Sequence, residues 1–322
     1  MKWSITRRGA LALGVAGLAP GALAQPLDRT ARILTGFMGL ADAVARLYGE
    51  RLRGSYASQV IVDNRLGAAG RLAMEVAKAS APDGTTLLLT HESSLTVYPH
   101  VYPKTLRFDP QADFIAASAV ATFPFVIGVG PGHPARDFAQ FVAWAKAQPE
   151  VAFATPAAGS VPHFTMVQLF RQLGIAAQHV PYRDTTMIIG DLQQNRLPVA
   201  MSTIGSWAQL GQSGDLRLLA TSGPQRAAIL PAVPSFNELG LAELTTEEGY
   251  YMMLPARTPQ PVVDSLHAAV VRAAEDPGLQ DSLGKLGLRI WRATPADAAA
   301  KIRADTIRWA GIVRSSGYEP QE

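Results

Sequence analysis

The feature that most constrains the fold of this chain is the alternation of short apolar runs with helical patterns. The runs are rich in β-forming residues and lie at 59–63, 86–89, 125–129, 151–154, 197–201, 217–220 and 250–254. A helical pattern at 40–53 places four apolar residues on one face: Leu40, Val44, Leu47 and Tyr48. This alternation predicts an α/β fold of open, mainly parallel sheets with helices on both faces.

The C-terminal third has a different pattern. Residues 259–275 and 295–315 predict two helices, each of which begins with a proline at or near its first helical position. Glycine and proline are dense at 128–134 and again at 255–259. These two stretches indicate one hinge that the chain crosses twice.

A hinge crossed twice divides the chain into two lobes. We expect lobe 1 to contain residues 28–127 and 252–322, and lobe 2 to contain residues 128–251, with the hinge near 125–134 and 249–256. A chain of this length and apolar content can bury two cores of ordinary size. A ligand would then bind between the lobes, at the carboxyl ends of strands.

Residues 1–24 have the composition of an export signal. Lys2, Arg7 and Arg8 precede a stretch of glycine, alanine and leucine that ends at 22–24 with Ala-Leu-Ala. The paired arginines favour the twin-arginine type, and an ordinary secretory signal is the alternative. We therefore expect the protein to be exported to the periplasm, with no stable membrane insertion after the signal is removed.

Charge and cysteine content exclude several classes of function. All three charges in the signal are basic, so the rest of the chain has equal numbers of basic and acidic residues. This balance gives no basic surface for nucleic acid. The chain has no cysteine, which excludes disulfides, thiolate metal sites and cysteine nucleophiles.

Two strand-to-helix loops share one design. The run 33–35 ends at Gly36 and a helix begins near Leu40, while the run 151–154 leads through 155–159 into a helix that opens at 160–163. Each loop directs the free N–H groups of a helix N-terminus toward the predicted cleft, where they suit an anion. The alternative is that both are plain connections, with Ser160 serving only as a helix cap.

Polar residues also follow three other predicted strands, at 90–94, 180–184 and 202–206. We expect the side chains to reach the same cleft, although each set could instead cap the helix that follows it. Glu92 is unusual there, because a carboxylate facing an anion site is repelled unless the ligand also carries a cation or a donor.

Motifs of enzymes are missing from the sequence. There is no nucleophile elbow, no phosphate-binding loop and no zinc-protease pair, and the histidines lack ligand spacing. A triad of Asp42, Ser160 and His163 has no support in the pattern. We therefore predict no enzymatic activity and no cofactor or metal requirement; the remaining enzyme hypothesis would use His163, or His91 with Glu92.

Several segments resemble one known family over nearly the whole chain after the signal. They are Arg-Ile-Leu-Thr-Gly-Phe at 32–37, Val-Ile-Val-Asp-Asn-Arg at 60–65, Gly-Ala-Ala-Gly at 67–70, Ala-Pro-Asp-Gly-Thr at 81–85, Tyr-Pro at 102–103, Phe-Asp-Pro at 108–110, His-Val-Pro-Tyr at 179–182, Leu-Pro-Ala-Val-Pro at 230–234 and Leu-Pro-Ala-Arg-Thr-Pro at 254–259. On these segments the chain resembles the Bug-type, or TctC-like, extracytoplasmic solute receptors of bacterial tripartite tricarboxylate transport systems.

The resemblance implies a two-lobed periplasmic-binding-protein fold of type II, the Venus-flytrap fold, which closes on a small ligand that is usually an organic acid. It also implies delivery to membrane permease subunits by a protein that is expected to be a monomer. The ligand-binding residues that it implies come from two helix-start loops and three flanking segments: Gly36, Phe37, Met38, Gly39, Asp42, His91, Glu92, Ser93, Ala158, Gly159, Ser160, His163, Tyr182 and Ser202.

The chain departs from the family pattern inside these segments. The first loop is two residues shorter than the family's and lacks its double proline and one glycine. Ser202 stands where many members have aspartate, His91 and Glu92 replace small hydroxylated residues, and Arg183-Asp184 replaces Lys-Gly. Because the pocket is altered on several sides, the carboxylate that the resemblance implies is a default expectation for the ligand.

A sensory protein that presents its closed form to a signalling partner is the alternative to a transport receptor.

Overall fold

The computed structural model describes residues 27–182 and 185–319. Its strands are β1 Leu27–Thr35, β2 Ala57–Asn64, β3 Thr86–His91, β4 Phe114–Val129, β5 Val151–Ala154, β6 Ala177–His179, β7 Val199–Thr203, β8 Arg217–Thr221, β9 Glu247–Pro255 and β10 Arg289–Ile290. Its α-helices are α1 Leu40–Leu52, α2 Arg71–Lys78, α3 Glu92–Thr96, α4 Tyr98–Val101, α5 Phe138–Lys146, α6 Val161–Leu173, α7 Thr185–Gln193, α8 Ile204–Ser213, α9 Gln260–Ala273, α10 Pro277–Lys285 and α11 Pro295–Ser316. Short 3-10 helices occupy Ala68–Gly70 and Ala242–Leu244. The predicted export signal and Arg183-Asp184 lie outside the described residues.

The strands form a mixed sheet in the order β2-β1-β3-β9-β4-β7-β5-β6, and β8 and β10 also pair with β4. Pairing is parallel between β1 and its neighbours β2 and β3, and between β5 and its neighbours β6 and β7. The long strands β4 and β9 are antiparallel to every strand with which they pair. The predicted α/β class is confirmed, with parallel pairing confined to the strands outside this central pair.

Strand β4 joins two halves of the sheet. Its first part pairs with β9 from Phe114 to Pro124, and its last part pairs with β7 from Phe125 onward. We call β2-β1-β3-β9 with β10 and the first part of β4 the first half-sheet, and β7-β5-β6 with β8 and the last part of β4 the second half-sheet. The lobe and hinge boundaries drawn from the sequence stay predictions, with the partner change in β4 as the nearest structural counterpart.

Helices cover both faces of the first half-sheet. On one face α1 buries Val44 and Tyr48, and the Tyr48 hydroxyl donates to the carbonyl of Val120 in β4 at 2.7 Å. On the other face α2 buries Met74 in a cluster with Tyr251 of β9. Within the described ranges, no helix combines the length and the apolar character needed to cross a membrane.

Two elements differ from the sequence prediction. The strand predicted at 125–129 begins at Phe114, because alanines that carry little β signal are buried in its first part. The helix predicted at 259–275 ends at Ala273, and the separate helix α10 follows. Asp276 starts α10 by accepting a hydrogen bond from Gly278 N at 2.8 Å.

Candidate functional site

The first loop, residues 36–42, is positioned by a close approach of two glycines. A methyl group on Gly36 would lie 2.4 Å from Cα of Gly70, and a methyl group on Gly70 would lie 2.4 Å from ring carbons of Phe37. Gly70 also has a φ of +82°, in the left-handed region that favours glycine. The two glycines therefore let the Phe37 ring lie directly against the backbone at residue 70.

The start of α1 already carries a negative charge. Its N-cap is Gly39, which has no side chain to cap the helix, and Asp42 lies in the first turn. The Asp42 carboxylate accepts hydrogen bonds from Arg46 Nε at 2.9 Å and from Asn64 Nδ2 at 2.8 Å. The hydrogen bond from Arg46 lowers the pKa of Asp42, so this carboxylate is ionised at neutral pH.

The apolar residues of the first loop differ in their surroundings. Met38 is 58% exposed. Leu40 approaches the first turn of α8, where its Cδ1 lies 3.5 Å from the position of a methyl group on Gly205. Because α8 follows β7, the first loop contacts the second half-sheet at this point.

His91 connects the first loop to β9. Its ring lies edge-on to Phe37 with the ring centroids 4.3 Å apart, and its Nε2 is 3.1 Å from the Tyr250 hydroxyl. Burial lowers the pKa of His91 to about 4, so the imidazole is neutral at pH 7. Ser93 contributes its backbone N–H to this region, donating to Oε1 of buried Glu248 at 2.8 Å.

Glu92 lies on the other side of the sheet from His91. Its carboxylate comes within 2.8 Å of Lys301 Nζ and of the position of a methyl group on Gly249. Gly249 and Tyr250 are successive residues of β9 and thus face opposite sides of the sheet. Glu92 was expected to face the anion site together with His91, but the structure separates the two side chains and supplies Glu92 with a cation from α11.

The second loop, residues 155–163, is organised around His163. Gly159 N donates to His163 Nδ1 at 2.9 Å, which leaves the ring proton on Nε2. The ring centroid of His163 is 4.1 Å from that of His179, and Thr155 Oγ1 is 3.0 Å from His179 Nε2. Burial lowers the pKa of His163 to about 3, with a contribution from His179, and lowers the pKa of His179 to about 4.

Ser160 is the N-cap of α6, as its position in the sequence suggested. Its hydroxyl donates to the carbonyl of Ala157 at 2.6 Å and makes no capping bond to the helix. The first turn of α6 contains no acidic residue. The N-terminus of α6 therefore has a positive dipole end that its own side chains leave uncompensated.

Gly159 connects the second loop to the rest of the molecule. A methyl group there would lie 2.6 Å from Cγ1 of Val101 in α4 and 2.9 Å from the hydroxyl oxygen of Tyr318. Gly159 has a φ of +72° and is flanked by the half-buried Ala158. Val101 lies in α4, which follows α3 and the 91–96 segment. The second loop therefore contacts a helix that continues from the segment beginning at His91.

Tyr182 and Ser202 are placed with other partners. The Tyr182 hydroxyl donates to Asp191 Oδ2 at 2.7 Å. Ser202 is buried in β7, where it pairs with Val126 of β4. The next residue, Thr203, is the N-cap of α8, and its hydroxyl is 2.7 Å from that of Ser206. The hydroxyls of half-buried Thr203 and exposed Ser206 thus lie in the same turn as Gly205, the residue that Leu40 approaches.

The structure brings the predicted residues together in two groups. Around the first loop lie Gly36, Phe37, His91 and Ser93, and around the second lie Ala158, Gly159, Ser160 and His163. Four residues that the sequence reasoning did not select complete these groups: Gly70, Glu248, Tyr250 and Tyr318. Gly70 had a signal in its Gly-Ala-Ala-Gly segment, whereas the other three are brought in by pairing and packing between residues distant in sequence.

The chain matches a family model described as the tripartite tricarboxylate transporter family receptor, TctC, over residues 44–318. It is 30% identical to the protein BugT of Bordetella pertussis over 286 residues, which cover 87% of this chain and 86% of BugT. A solved structure described as that of a periplasmic transporter has 27% identity and a TM-score of 0.80, covering 91% of this chain and 98% of its own. MatC of Rhodopseudomonas palustris, solved with bound malate, has 26% identity and a TM-score of 0.75, covering 88% of this chain and 98% of MatC.

The family match extends over most of the described residues and includes the second half-sheet, the second loop, α11 and all of the first half-sheet except β1. The relative and the two solved structures are similar over nearly their full lengths. This chain therefore belongs to the TctC family of tripartite tricarboxylate transporter receptors, which also contains the Bug-type solute-binding proteins to which its sequence segments correspond.

Proposed function

We propose that this protein is a periplasmic solute receptor that captures a small carboxylated metabolite between its two half-sheets and delivers it to the membrane permease subunits of a tripartite tricarboxylate transporter. Family membership supports the receptor role. The malate bound in MatC supports a carboxylated ligand. Binding and release are sufficient for this role, and no chemical change of the ligand is part of the proposal.

The start of α6 is the observation that carries the proposal. This helix has 13 residues, its first turn has no acidic side chain, and the hydroxyl of Ser160 is occupied with Ala157. Pro162 supplies no N–H, so the remaining N–H groups of the first turn, together with the helix dipole, favour an external anion. His163 is neutral and holds Gly159 in place, so it shapes the loop without adding charge.

The start of α1 offers a weaker site for an anion. Asp42 places a carboxylate in the first turn of that helix, where it already benefits from the helix dipole. We therefore assign the ligand carboxylate to the second loop. The remainder of the ligand is assigned to the first loop, next to Phe37 and His91, where the surface is aromatic and uncharged.

Ligand capture in this proposal is a shift between open and closed populations. A ligand that contacts both loops binds the closed form more tightly than the open form, and its binding energy favours closure. Strand β4 is continuous across the two half-sheets, so a change of angle would be absorbed near Pro124 and Phe125.

Carboxylate binding can be tested by native mass spectrometry of the purified protein, followed by thermal-shift and calorimetric titrations. Malate, succinate and adipate would be compared with succinamide, which keeps the size of succinate but lacks its charge. A ligand at one hundred times its dissociation constant should add about 2.7 kcal/mol to the free energy of unfolding. Stabilisation by succinamide as strong as that by succinate, or no stabilisation by any acid and no co-purified acid, would refute the proposal.

Delivery to a permease requires a separate experiment. The tagged protein, with and without the ligand, would be used to capture partners from detergent-solubilised inner membranes. Ligand-dependent recovery of transporter subunits is the expected result. Recovery of a sensor kinase in their place would assign the protein to signalling.

A further inference from the structure

One helix, α11, contacts both groups of candidate site residues. It packs against α3 and α4, which extend the first half of the site, and against α6, which carries the second loop. It is the longest helix in the described part of the chain, at 22 residues. This one helix therefore contacts both sides of the proposed cleft.

The N-terminal half of α11 holds α3 through an ionic cluster in which two buried carboxylates meet partly exposed cations. Lys301 Nζ is 2.8 Å from Glu92 Oε1 and also bonds to Asp305, whose other carboxylate oxygen is 3.2 Å from Arg308 Nε. Glu92 is 5% exposed and Asp305 is 9% exposed. A carboxylate this deeply buried requires a partner, so Lys301 determines where the first turn of α3 can lie.

The segment that contains Glu92 is also tied to β9. Burial raises the pKa of Glu92 well above its ordinary value, with a hydrogen bond to Asp305 adding to this effect and Lys301 opposing it. The next residue, Ser93, donates its N–H to Glu248 of β9. Segment 91–96 is therefore fixed from two sides, by α11 and by β9, with His91 held against Phe37 at its start.

The C-terminal end of α11 contacts the second loop. Trp309 is buried with its ring centroid 6.3 Å from that of Phe164. Beyond the helix, Tyr318 lies edge-on to His163 and Phe164, with ring centroids 5.7 and 5.4 Å away. The Tyr318 hydroxyl occupies the space beside Gly159 where a Cβ would otherwise lie.

We infer that α11 couples the two loops of the ligand site, with Lys301 in its second turn and Tyr318 just beyond its C-terminus as positioning residues. Lys301 fixes the segment that begins at His91, and Tyr318 fixes Gly159 and His163. A displacement of either end is transmitted along a helix that is rigid over its length. As a statement about ligand affinity this rests on the proposed function, whereas the mechanical coupling does not require a ligand.

Amide hydrogen exchange of the ligand-free protein tests the coupling directly. Lys301→Met should raise exchange about tenfold in residues 91–96 and also in residues 157–164, on the far side of the cleft. Lys285→Met is the matched control, because Lys285 forms an exposed ion pair with Asp281 at 2.7 Å and should change neither segment. Faster exchange that is confined to 91–96, with unchanged exchange at 157–164, would overturn the inference.

Tyr318 provides the reverse experiment. Tyr318→Ala should raise exchange in 157–164 and in 91–96, whereas Tyr318→Phe keeps the ring and should stay within twofold of the wild type. Exchange in β2, which lies far from α11, identifies any variant that is unfolding globally. The double substitution Glu92→Gln with Lys301→Met removes the Glu92 carboxyl group together with its cation, while Asp305 keeps Arg308 as a partner, and it should restore slow exchange in 91–96. Failure of this rescue would show that Lys301 does not act through Glu92.

Calorimetric titration of malate then separates the two proposals. If the wild type binds malate, Tyr318→Ala should weaken binding about tenfold and Tyr318→Phe less than twofold. If the wild type binds no carboxylate, the proposed function fails while the exchange experiment still decides the coupling. If Tyr318→Ala raises exchange in both 91–96 and 157–164 but leaves the affinity for malate unchanged, the assignment of Tyr318 as a positioning residue for the site is overturned.

Discussion

Gly36 approaches Gly70 so closely that it has no room for a side chain, and the Phe37 ring fills the space that a side chain on Gly70 would need. This contact sets the direction in which the chain leaves β1, and it leaves the space that the Phe37 ring fills. A pair of residues separated along the chain thus determines where the first aromatic surface of the candidate site lies.

Gly70→Ala should therefore be strongly destabilising. The new methyl group would overlap the Phe37 ring, and alanine is strained at a φ of +82°, so we expect a loss of about 3 kcal/mol in the free energy of unfolding. Gly311→Ala is the control, since apart from the neighbouring residues and backbone of α11 itself no described atom lies within 4 Å of the added methyl group; it should be neutral or stabilising by about 0.5–1 kcal/mol. Urea denaturation of both variants measures the difference, and equal effects would contradict the steric explanation.

Ser160→Asp should raise stability and reduce ligand affinity. Aspartate at the N-cap can accept a hydrogen bond from the backbone N–H of His163, because Pro162 has no N–H and the serine hydroxyl bonds to Ala157 instead; this should add about 0.5–1 kcal/mol to stability. The same charge would compete with the ligand carboxylate and weaken its binding roughly tenfold, equivalent to 1.4 kcal/mol.

Ser160→Asn is the matched neutral control, because asparagine caps helices about as well without the charge. Calorimetry with the acid that stabilises the wild type gives the affinities. If Ser160→Asp and Ser160→Asn bind this acid equally well, the carboxylate does not bind at α6.

His163→Ala should loosen the second loop. The substitution removes the acceptor for Gly159 N and the ring against which Tyr318 lies, so we expect roughly tenfold weaker ligand binding. His163→Asn keeps an acceptor at a reach similar to that of Nδ1 and should recover part of the affinity. An incubated ligand that is recovered chemically altered by the wild type, but not by His163→Ala, would instead indicate catalysis.

Glu248→Gln should change the pH dependence of stability. Burial raises the pKa of Glu248 to about 7, above its ordinary value of 4.5. The contribution of the carboxyl group to stability is complete below pH 4.5 and is lost as pH rises to about 7, because the unfolded chain gives up the proton first.

The glutamine variant does not titrate and can still accept the bond from Ser93 N. Relative to the wild type it should gain stability across this window, by on the order of 3 kcal/mol, and the difference should be constant above about pH 7. Thermal or urea unfolding between pH 4 and 8 provides the comparison. A stability difference that does not vary with pH would show that Glu248 is not held in its protonated form.

The two helix-start loops could be predicted from the sequence because local signals define them. A short apolar run, a glycine-containing turn and an amphipathic segment follow one another at 33–53; β1 ends and α1 begins where the sequence predicted, although β1 already starts at Leu27. The same signals identified the second loop and its N-cap, Ser160. Residues whose role depends on the backbone and on their neighbours in sequence can therefore be predicted from the sequence.

The placement of Glu92 could not be predicted in this way. Its partner Lys301 is 209 positions away, and the side of the sheet on which it lies depends on where α3 begins after β3. Tyr250 reaches His91 only because β3 and β9 pair antiparallel in a register that sets the two residues opposite each other. Side-chain partners of this kind follow from long-range packing, to which no local pattern corresponds.

The shared strand β4 also determines the order in which the chain can fold during synthesis. Every strand of the second half-sheet leaves the ribosome before β9, whereas the first half-sheet needs β9 between β3 and β4. We expect the second half-sheet to form first, since domains fold as their residues become available. Until β9 inserts, the edges of β3 and β4 have unpaired backbone groups, so the early-synthesised strands of this receptor are the ones that stay open longest to mispairing.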